Sequence, residues 1–423
     1  MTGVKSAVGG AARQAAAGLP RLLPPVPGDA EDLNAHLTRH GRLRYHGTAL
    51  LHAVKAAGLT GRGGAAFPTH VKLTAAKAAG RPVVVANGAE SEPASEKDAA
   101  LLYHAPHLVL DGLVLAAEAV GAGRAYLYLH AGHAGRIQQA LTERRRVRLD
   151  AVAITVAEAP ARFLAGQETA LVSRISGGPA LPTFDSRRVT ERGILVQNVE
   201  TLAHLALISR YGPDWFRERG TRDEPGTMLL TLHAGGRPRV TEQPIGVPLS
   251  AALGVPDAAA VLVGGYHGTW LPAAAVPALT LDNAALRRHG ASLGAGVLAA
   301  LPHGSCGLVE TARVTRYLAA ESAGQCGPCL NGLPRIAAAL AELAGPRSRR
   351  STLHDVERWA GLVTGRGACH HPDGTARFVR SALTVFGAEL KRHASGECTA
   401  TDREPVLPLP PGYAAPTTDE EWR

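Results

Sequence analysis

The stretch RPVVVANGAESEPASEKD, residues 81–98, decides the reading of the fold. Val83, Val84 and Val85 head a short apolar run of the kind buried in a parallel sheet, and Gly88, Ser91, Pro93 and Ser95 stop it. A loop leaving the carboxyl end of such a strand is where open α/β sheets bind ligands. Asn87, Glu90 and Glu92 stand in that loop and are placed to bind hydroxyls or amides of a nucleotide. Taken singly, they also fit a solvated loop with an acidic cluster at a helix start.

Outward from this unit the pattern repeats. RAYLYLH (124–130), AVAITVAE (151–158) and GILVQN (193–198) are further strand candidates, and helical patterns cover 70–79, 97–121, 133–146 and 199–210. The alternation predicts an α/β domain with a largely parallel sheet over residues 31–225. Residues 1–30, which include PRLLPPVPGD, have the composition of a flexible lead-in. Residues 226–300 change to short β runs and turns, GTMLLTLHAGGRPRVTEQPIGVPLSAALGV and AAVLVGGYHGTW, and predict a small β-rich module. Residues 301–398 carry long helical patterns, among them LVETARVTRYLAAES, GLPRIAAALAELAG and ARFVRSALTVFGAELKRH, and predict a helical bundle. The Pro-rich segment 399–423 reads as a loosely held tail.

Three more polar loops sit at element junctions. In GLTGRGGAAFPTHVKL (58–73), Gly61, Gly63 and Gly64 free the backbone to approach a ligand, beside amides at a helix start that suit phosphate; a plain interhelix turn fits equally. In FLAGQETALVSRISGG (163–178), Gly166 precedes a helix opening on Gln167, Glu168 and Thr169. In LVQNVETL (195–202), Gln197 and Asn198 end a strand before Glu200 enters a helix, where amides commonly cap. Together the four loops point to a bound nucleotide or flavin.

Composition narrows the classes. A chain of 423 residues with 45% hydrophobic residues supports several cores. The net charge of +9 would suit nucleic acid or an acidic protein, but the basic residues are scattered and lack interleaved aromatics. No nucleic-acid partner is therefore expected, and a basic docking face for an acidic electron carrier is. The five cysteines are an odd number in a large chain without a strongly apolar leader, which predicts a reducing, cytoplasmic setting. The longest apolar run, HLVLDGLVLAAEAVGAG, is interrupted by Asp111 and Glu118 and reads as a buried helix rather than a membrane span.

In order along the chain, GRGGAAFPT, NGAESEPASEKD, AGQETALVSRISGG and QNVETL, then ESAGQCGPCLNG (321–332) and a distant Cys369, resemble the NADH-binding, FMN-containing flavoprotein subunit of respiratory complex I, the NADH:quinone oxidoreductase. The resemblance runs from about residue 30 to 395 and marks a divergent member. It implies a Rossmann-like domain for FMN and NAD(H), then a ubiquitin-like β-grasp module of the soluble-ligand-binding type, then a helical bundle with a 4Fe-4S cluster. Carried onto this sequence, Gly61, Arg62, Gly63, Gly64 and Lys72 would meet phosphate, and Phe67 would pack on the nicotinamide or adenine. Asn87 would touch the flavin, and Glu90 and Glu92 would line the NADH pocket. Gly166, Glu168, Asn198 and Thr201 would complete the site. Hydride transfer would run between cofactors with no protein nucleophile. Electrons would pass through the iron–sulfur site to other redox subunits, an acidic carrier such as ferredoxin, or a quinone-linked acceptor, in a complex peripheral to the membrane.

Departures from the family pattern cluster at the proposed site. Ala89 replaces an aspartate, Gln167 one of two paired glutamates, Ala66 a glycine, and Gln197 an asparagine. The losses at Ala89, Gln167 and Ala323 support an alternative, a degenerate homologue acting as a non-catalytic binding or assembly subunit of a redox complex. In the cysteine loop Cys326, Cys329 and Cys369 match ligands, while Ala323 stands where the family has the first cysteine. Four states fit: a 4Fe-4S cluster whose fourth ligand is Cys306, Cys398, His370, His371 or an exogenous molecule; a 3Fe-4S cluster; zinc; or no metal. Cys306 and Cys398 otherwise read as ordinary thiols.

Overall fold

A computed structural model describes residues 18–25, 30–184, 187–254, 257–402, 404–416 and 418–423. Helices α1 (Leu33–His40), α2 (Gly47–Ala57) and α3 (Thr69–Ala78) lead into strand β1 (Val83–Gly88). Then follow α4 (Lys97–His104), α5 (Pro106–Val120), β2 (Arg124–His130), α6 (Ala131–Arg146), β3 (Ala153–Ala159), α7 (Glu168–Ile175), β4 (Ile194–Asn198) and α8 (Val199–Tyr211). The four strands form one parallel sheet in the order β3-β2-β1-β4.

Period-two alternation divides each strand between two faces. Val84, Ala86, Leu127, Leu129 and Leu195 join the large core shared with α2, α3, α5 and α8. Val85, Tyr128 and Val196 pack on the other face against Leu171 and Val172 of α7. Connections from β1 run out to β2 and β3 on one side, and the chain returns to β4 on the other. The carboxyl ends of β1 and β4 therefore flank a topological switch point, with Asn87 beside Asn198 in the register.

The single helix expected over 97–121 is two. α4 ends at His104, and α5 starts with Pro106 in its first turn, bent by 96°. Proline has no N–H to continue a helix and is tolerated only in a first turn. α5 is buried almost throughout and crosses α8 closely: a Cβ on Gly112 would lie 1.9 Å from the Leu202 carbonyl oxygen. Among the described residues no single helix is long and apolar enough to cross a membrane.

The next unit is a five-stranded sheet of β5 (Thr227–His233), β6 (Arg239–Pro244), β7 (Ala260–Val263), β8 (Thr269–Pro272) and β9 (Val297–Leu301). Its order is β6-β5-β9-β7-β8, with β5 and β9 parallel at the centre and the other pairs antiparallel, the arrangement of a β-grasp. Helices α9 (Gly307–Ala320), α10 (Leu333–Leu343), α11 (Arg350–Val363), α12 (His371–Val385) and α13 (Gly387–Ala394) complete the chain. A core including Leu333, Ile336, Leu340, Val356 and Val379 joins α10, α11 and α12.

Most of the expected lead-in, residues 1–17 and 26–29, lies outside the described residues. Of the rest, Leu22 is buried, the Arg21 guanidinium lies 3.9 Å over the Trp215 ring, and both backbone amides donate to Glu242. The tail, expected to be loosely held, is packed instead. Leu407 and Trp422 are buried, the Leu407 amide donates to Glu310 at 3.0 Å, and the Ala180 amide donates to the Trp422 carbonyl at 2.6 Å. Proline-rich backbone carries free carbonyls that find side-chain donors, here Tyr266 on Pro408 and Arg313 on Leu407.

Candidate active-site cavity

A cavity of about 480 Å³ opens at the switch point. The glycine loop supplies Arg62, Gly63, Gly64 and Ala65, the loop after β1 supplies Asn87 and Ala89 to Glu92, and Asn198 closes the β4 end. Gly264, Ser292, Gly294 and Ala295 of the five-stranded unit form another wall, and Cys369, His370, His371 and Arg377 of the bundle a third. Three successive units of the chain thus share one cleft.

Backbone geometry makes the loops fit closely. Gly64 has φ +102°, and a Cβ on Gly166 would sit 2.7 Å from the Ala89 carbonyl oxygen. The amides of Gly63, Gly64 and Ala65 have no backbone or side-chain acceptor among the described residues. Unpaired amides beside glycine are the donor set that phosphate and flavin oxygens take. Ala66 keeps a left-handed φ of +48°, a conformation that favours the glycine which the family carries there.

Beneath the cavity lies a buried ionic group. Lys97 Nζ is 2.6 Å from Asp98 Oδ1 and 2.9 Å from Glu200 Oε2, and Asn198 Nδ2 donates to Asp98 Oδ2 at 2.6 Å. Burial raises the Glu200 pKa, but Lys97, His204 and Arg62 outweigh it and hold the carboxyl down at about 2. Glu90 accepts from the Ser95 hydroxyl at 2.5 Å and from the amides of Asp98 and Ala99, so it caps α4. Glu92 accepts from the Tyr266 amide at 2.8 Å and ties the loop to the five-stranded unit. Burial, with Asp98 nearby, pushes Glu90 up to about 7; burial does the same to Glu92.

Of the expected site residues, Arg62, Gly63, Gly64, Asn87, Glu90, Glu92, Gly166 and Asn198 line this cavity. The Arg62 guanidinium faces away from it, donating to the carbonyls of Thr60, Pro225 and Thr227. Thr201 accepts the Arg62 amide at 2.9 Å and so fixes the glycine loop from behind. Gly61 belongs to a neighbouring crevice, and its amide closes the loop on the Phe67 carbonyl. Lys72 pairs with Glu168 at 2.6 Å outside the cavity wall, and Phe67 is exposed. Gln167 caps α7 by accepting the amides of Thr169 and Ala170.

Sequence reasoning passed over Lys97 and Asp98, although both stand in NGAESEPASEKD; a lysine beside an aspartate opening an apolar helix is the signal. Gly264, Ser292 and Gly294 gave none, because backbone rather than side chain brings them to the wall.

At the third wall, Cys369 precedes His370, the N-cap of α12, while Cys329 lies in the turn of π-helix, Pro328–Gly332, before α10, with Cys326 two residues ahead of that turn. Burial first, then the neighbouring Cys326 and Cys369, pushes the Cys329 thiol up to about 12. Cys326 and Cys329 in C-x-x-C spacing, with Cys369, are the soft donors that a metal cluster takes. Ala323 packs instead against Leu164, Leu181 and Trp422, and the Ser322 hydroxyl lies against Cys329.

The replacement ligands are sorted by the same geometry. Cys306 and Cys398 lie together elsewhere, with Glu389 and His393. His371 uses both nitrogens, donating to the Leu318 carbonyl at 2.8 Å and accepting from His267 at 3.0 Å, and burial holds its pKa down near 4. A neutral ring follows, with Nε2 protonated. His370 remains solvent-facing beside Asp373 at 3.6 Å.

Residues 54–207 match the family model described as the Nuo51 FMN-binding domain, and residues 310–393 that of the NADH-ubiquinone oxidoreductase-F iron-sulfur binding region. The chain is 30% identical over 378 residues to the F subunit of NADH-quinone oxidoreductase from Streptomyces coelicolor, covering 82% of this chain and 83% of that protein. It is 28% identical to the second F subunit of NADH-quinone oxidoreductase from Rhizobium meliloti, covering 81% and 88%. It also superposes on a chain of an NAD+-reducing [NiFe]-hydrogenase, in the H2-reduced state, with a TM-score of 0.73 and 27% identity. That match covers 85% of this chain but 64% of the hydrogenase chain.

Proposed function

The chain belongs to the F-subunit family of NADH-quinone oxidoreductase, and from that premise we propose that it oxidises NADH within a larger redox assembly and passes the electrons to a protein or quinone-linked acceptor. It is an NADH dehydrogenase flavoprotein with FMN, NADH and iron–sulfur regions. The observation that carries the proposal is the shared cleft: Cys369 stands on the wall of the same cavity as the glycine loop, Asn87 and Asn198.

FMN bound in this cleft would supply hydride acceptance from NADH and one-electron release, and an iron–sulfur cluster would supply the onward transfer. The chain's own residues bind and orient. The free amides of Gly63, Gly64 and Ala65 would take phosphate or flavin oxygens, Asn87 and Asn198 would offer amide contacts, and Lys97 would set a positive field below. Glu90 and Glu92, raised to about 7, carry less negative charge against a phosphate at neutral pH than free carboxylates would. Phe163, Leu164 and Ala295 on the wall help exclude water. Cys326, Cys329 and Cys369 would hold the cluster, with the Ser322 hydroxyl or the His370 ring offered for the place left by Ala323. The non-catalytic alternative is not favoured: each departure leaves the cavity formed, and Gln167 still caps its helix.

We divide the chain into a lead-in (1–30), a flavin and nucleotide unit (31–225), a β-grasp unit (226–300), a cluster bundle (301–398) and a tail (399–423). An acidic carrier such as ferredoxin, or partner redox subunits, would meet the basic surface that the net charge of +9 implies, at a cytoplasmic site peripheral to the membrane. Protein reconstituted anaerobically with FMN and iron should show flavin bleaching on adding NADH, with ferricyanide reduced in steady state. A bound flavin that NADH leaves unbleached would refute the proposal.

A further inference from the structure

Away from the cavity, the far end of the bundle gathers a second set of soft ligands. Glu389 and His393 stand one turn apart on α13, so both project from one helix face, with His393 Nε2 3.2 Å from Glu389 Oε1. Cys306, immediately before α9, places its sulfur 3.5 Å from His393 Nε2 and 3.9 Å from Glu389 Oε1. Cys398 follows the end of α13 and completes the set. All four donor atoms lie within 4.8 Å of one another.

These separations decide the chemistry. Ligand bonds of about 2.0–2.3 Å in a tetrahedral zinc site put neighbouring donors about 3.3–3.8 Å apart. The 3.2, 3.5 and 3.9 Å separations among Cys306, Glu389 and His393 bracket that interval, and Cys398 lies within 4.8 Å of each. Two sulfurs, an imidazole nitrogen and a carboxylate oxygen form a donor set that zinc accepts.

Independent features hold the donors ready. Glu389 is oriented by Thr399, whose amide donates at 2.8 Å and whose hydroxyl donates at 2.7 Å. His393 is buried, and Nε2 is the ring nitrogen that faces Cys306 and Glu389. Burial first, against the amides of Leu308 and Val309 at the start of α9, pushes the Cys306 thiol up to about 12, so its proton leaves only when a cation takes its place. A cavity of about 420 Å³ adjoins the group, and Cys398 is exposed, so an ion has a way in.

We propose that Cys306, Glu389, His393 and Cys398 form a structural zinc site, separate from the cysteines of the electron-transfer loop. Zn2+ displaces the two thiol protons and binds two thiolates, one neutral imidazole and one carboxylate. With four protein donors the tetrahedron is closed, which suits a clasp between the start of α9 and the segment leading into the tail.

The test uses the full-length protein with FMN, loaded with zinc or cobalt ions alone. One zinc per chain is expected, and Co2+ should give the absorption of a tetrahedral site with two thiolates. Cys398→Ser and His393→Gln should each weaken zinc retention against a chelator by at least about tenfold, with flavin content unchanged. Cys326→Ser should leave the zinc in place. If these variants misfold, the cobalt spectrum of the unmutated protein still decides. The proposal is overturned if that protein takes up no zinc, if Cys306 and Cys398 are found as a disulfide, or if zinc survives Cys398→Ser and is lost in Cys326→Ser.

Discussion

The cleft at the switch point and the cysteine loop have both lost family residues, yet with opposite structural consequences. In the cleft, the replaced residues keep or inherit local contacts: Asn87 accepts from the Ala89 amide and donates to the Gly166 carbonyl, and Gln167 caps its helix as a glutamate would. In the loop, Ala323 leaves a position that no neighbouring thiol fills, because its side chain has joined an apolar patch with Leu164, Leu181 and Trp422. A site built from many backbone donors on strand ends degrades gradually; a site built from four side chains loses a quarter of its ligands at one substitution.

The largest expected effect tests how far the cleft depends on its floor. Lys97→Met leaves Asp98 and Glu200 buried without their cation, and should cost about 3–5 kcal/mol in urea unfolding together with loss of bound flavin. Unchanged stability would mean that the cleft does not rest on its ionic floor.

Next is pH. The Glu92 carboxyl holds its proton to about pH 7 in the folded protein but loses it near the ordinary value of 4.5 when unfolded. Between these values the folded state binds more protons, so the stability contributed below pH 4.5 is lost as pH rises through 7, at up to about 1.4 kcal/mol per unit. Glu92→Gln should flatten that slope in unfolding curves of the flavin-free protein.

Gly166→Ala should cost about 1–3 kcal/mol, because the new methyl meets the Ala89 carbonyl, and flavin content after gel filtration should fall with it. In the cysteine loop the direction reverses: Ala323→Cys should improve iron retention against a chelator by about tenfold at unchanged flavin content. If the parent already holds a full cluster that resists chelation equally, another donor has taken the place. The smallest change is Ala66→Gly, which relieves a left-handed alanine and should add about 0.5–1 kcal/mol to thermal stability.

The strands were legible because valine-rich runs end at glycine and polar residues, and the order of elements then left few topologies open. The loops after β1 and β4 were legible for the same reason, since strand ends in a parallel sheet converge. The grouping of Cys306 with Glu389, His393 and Cys398 was not, because tertiary packing joins residues more than eighty positions apart with no local periodicity. Lys72 and Phe67 were placed by family likeness, and their observed positions follow from the Glu168 pair and from the turn at the glycine loop. The break at Pro106 was written in the sequence and outweighed by the apolar run around it.

The cleft's three walls come from three successive stretches of chain, and this makes its occupant a thermodynamic coupling agent. A ligand at about a hundred times its dissociation constant adds about 2.7 kcal/mol to the state that binds it. Here that state requires the parallel sheet, the β-grasp and the bundle to be in register at once. Cofactor loading would then merge their separate melting transitions into one, and an empty protein would come apart a unit at a time.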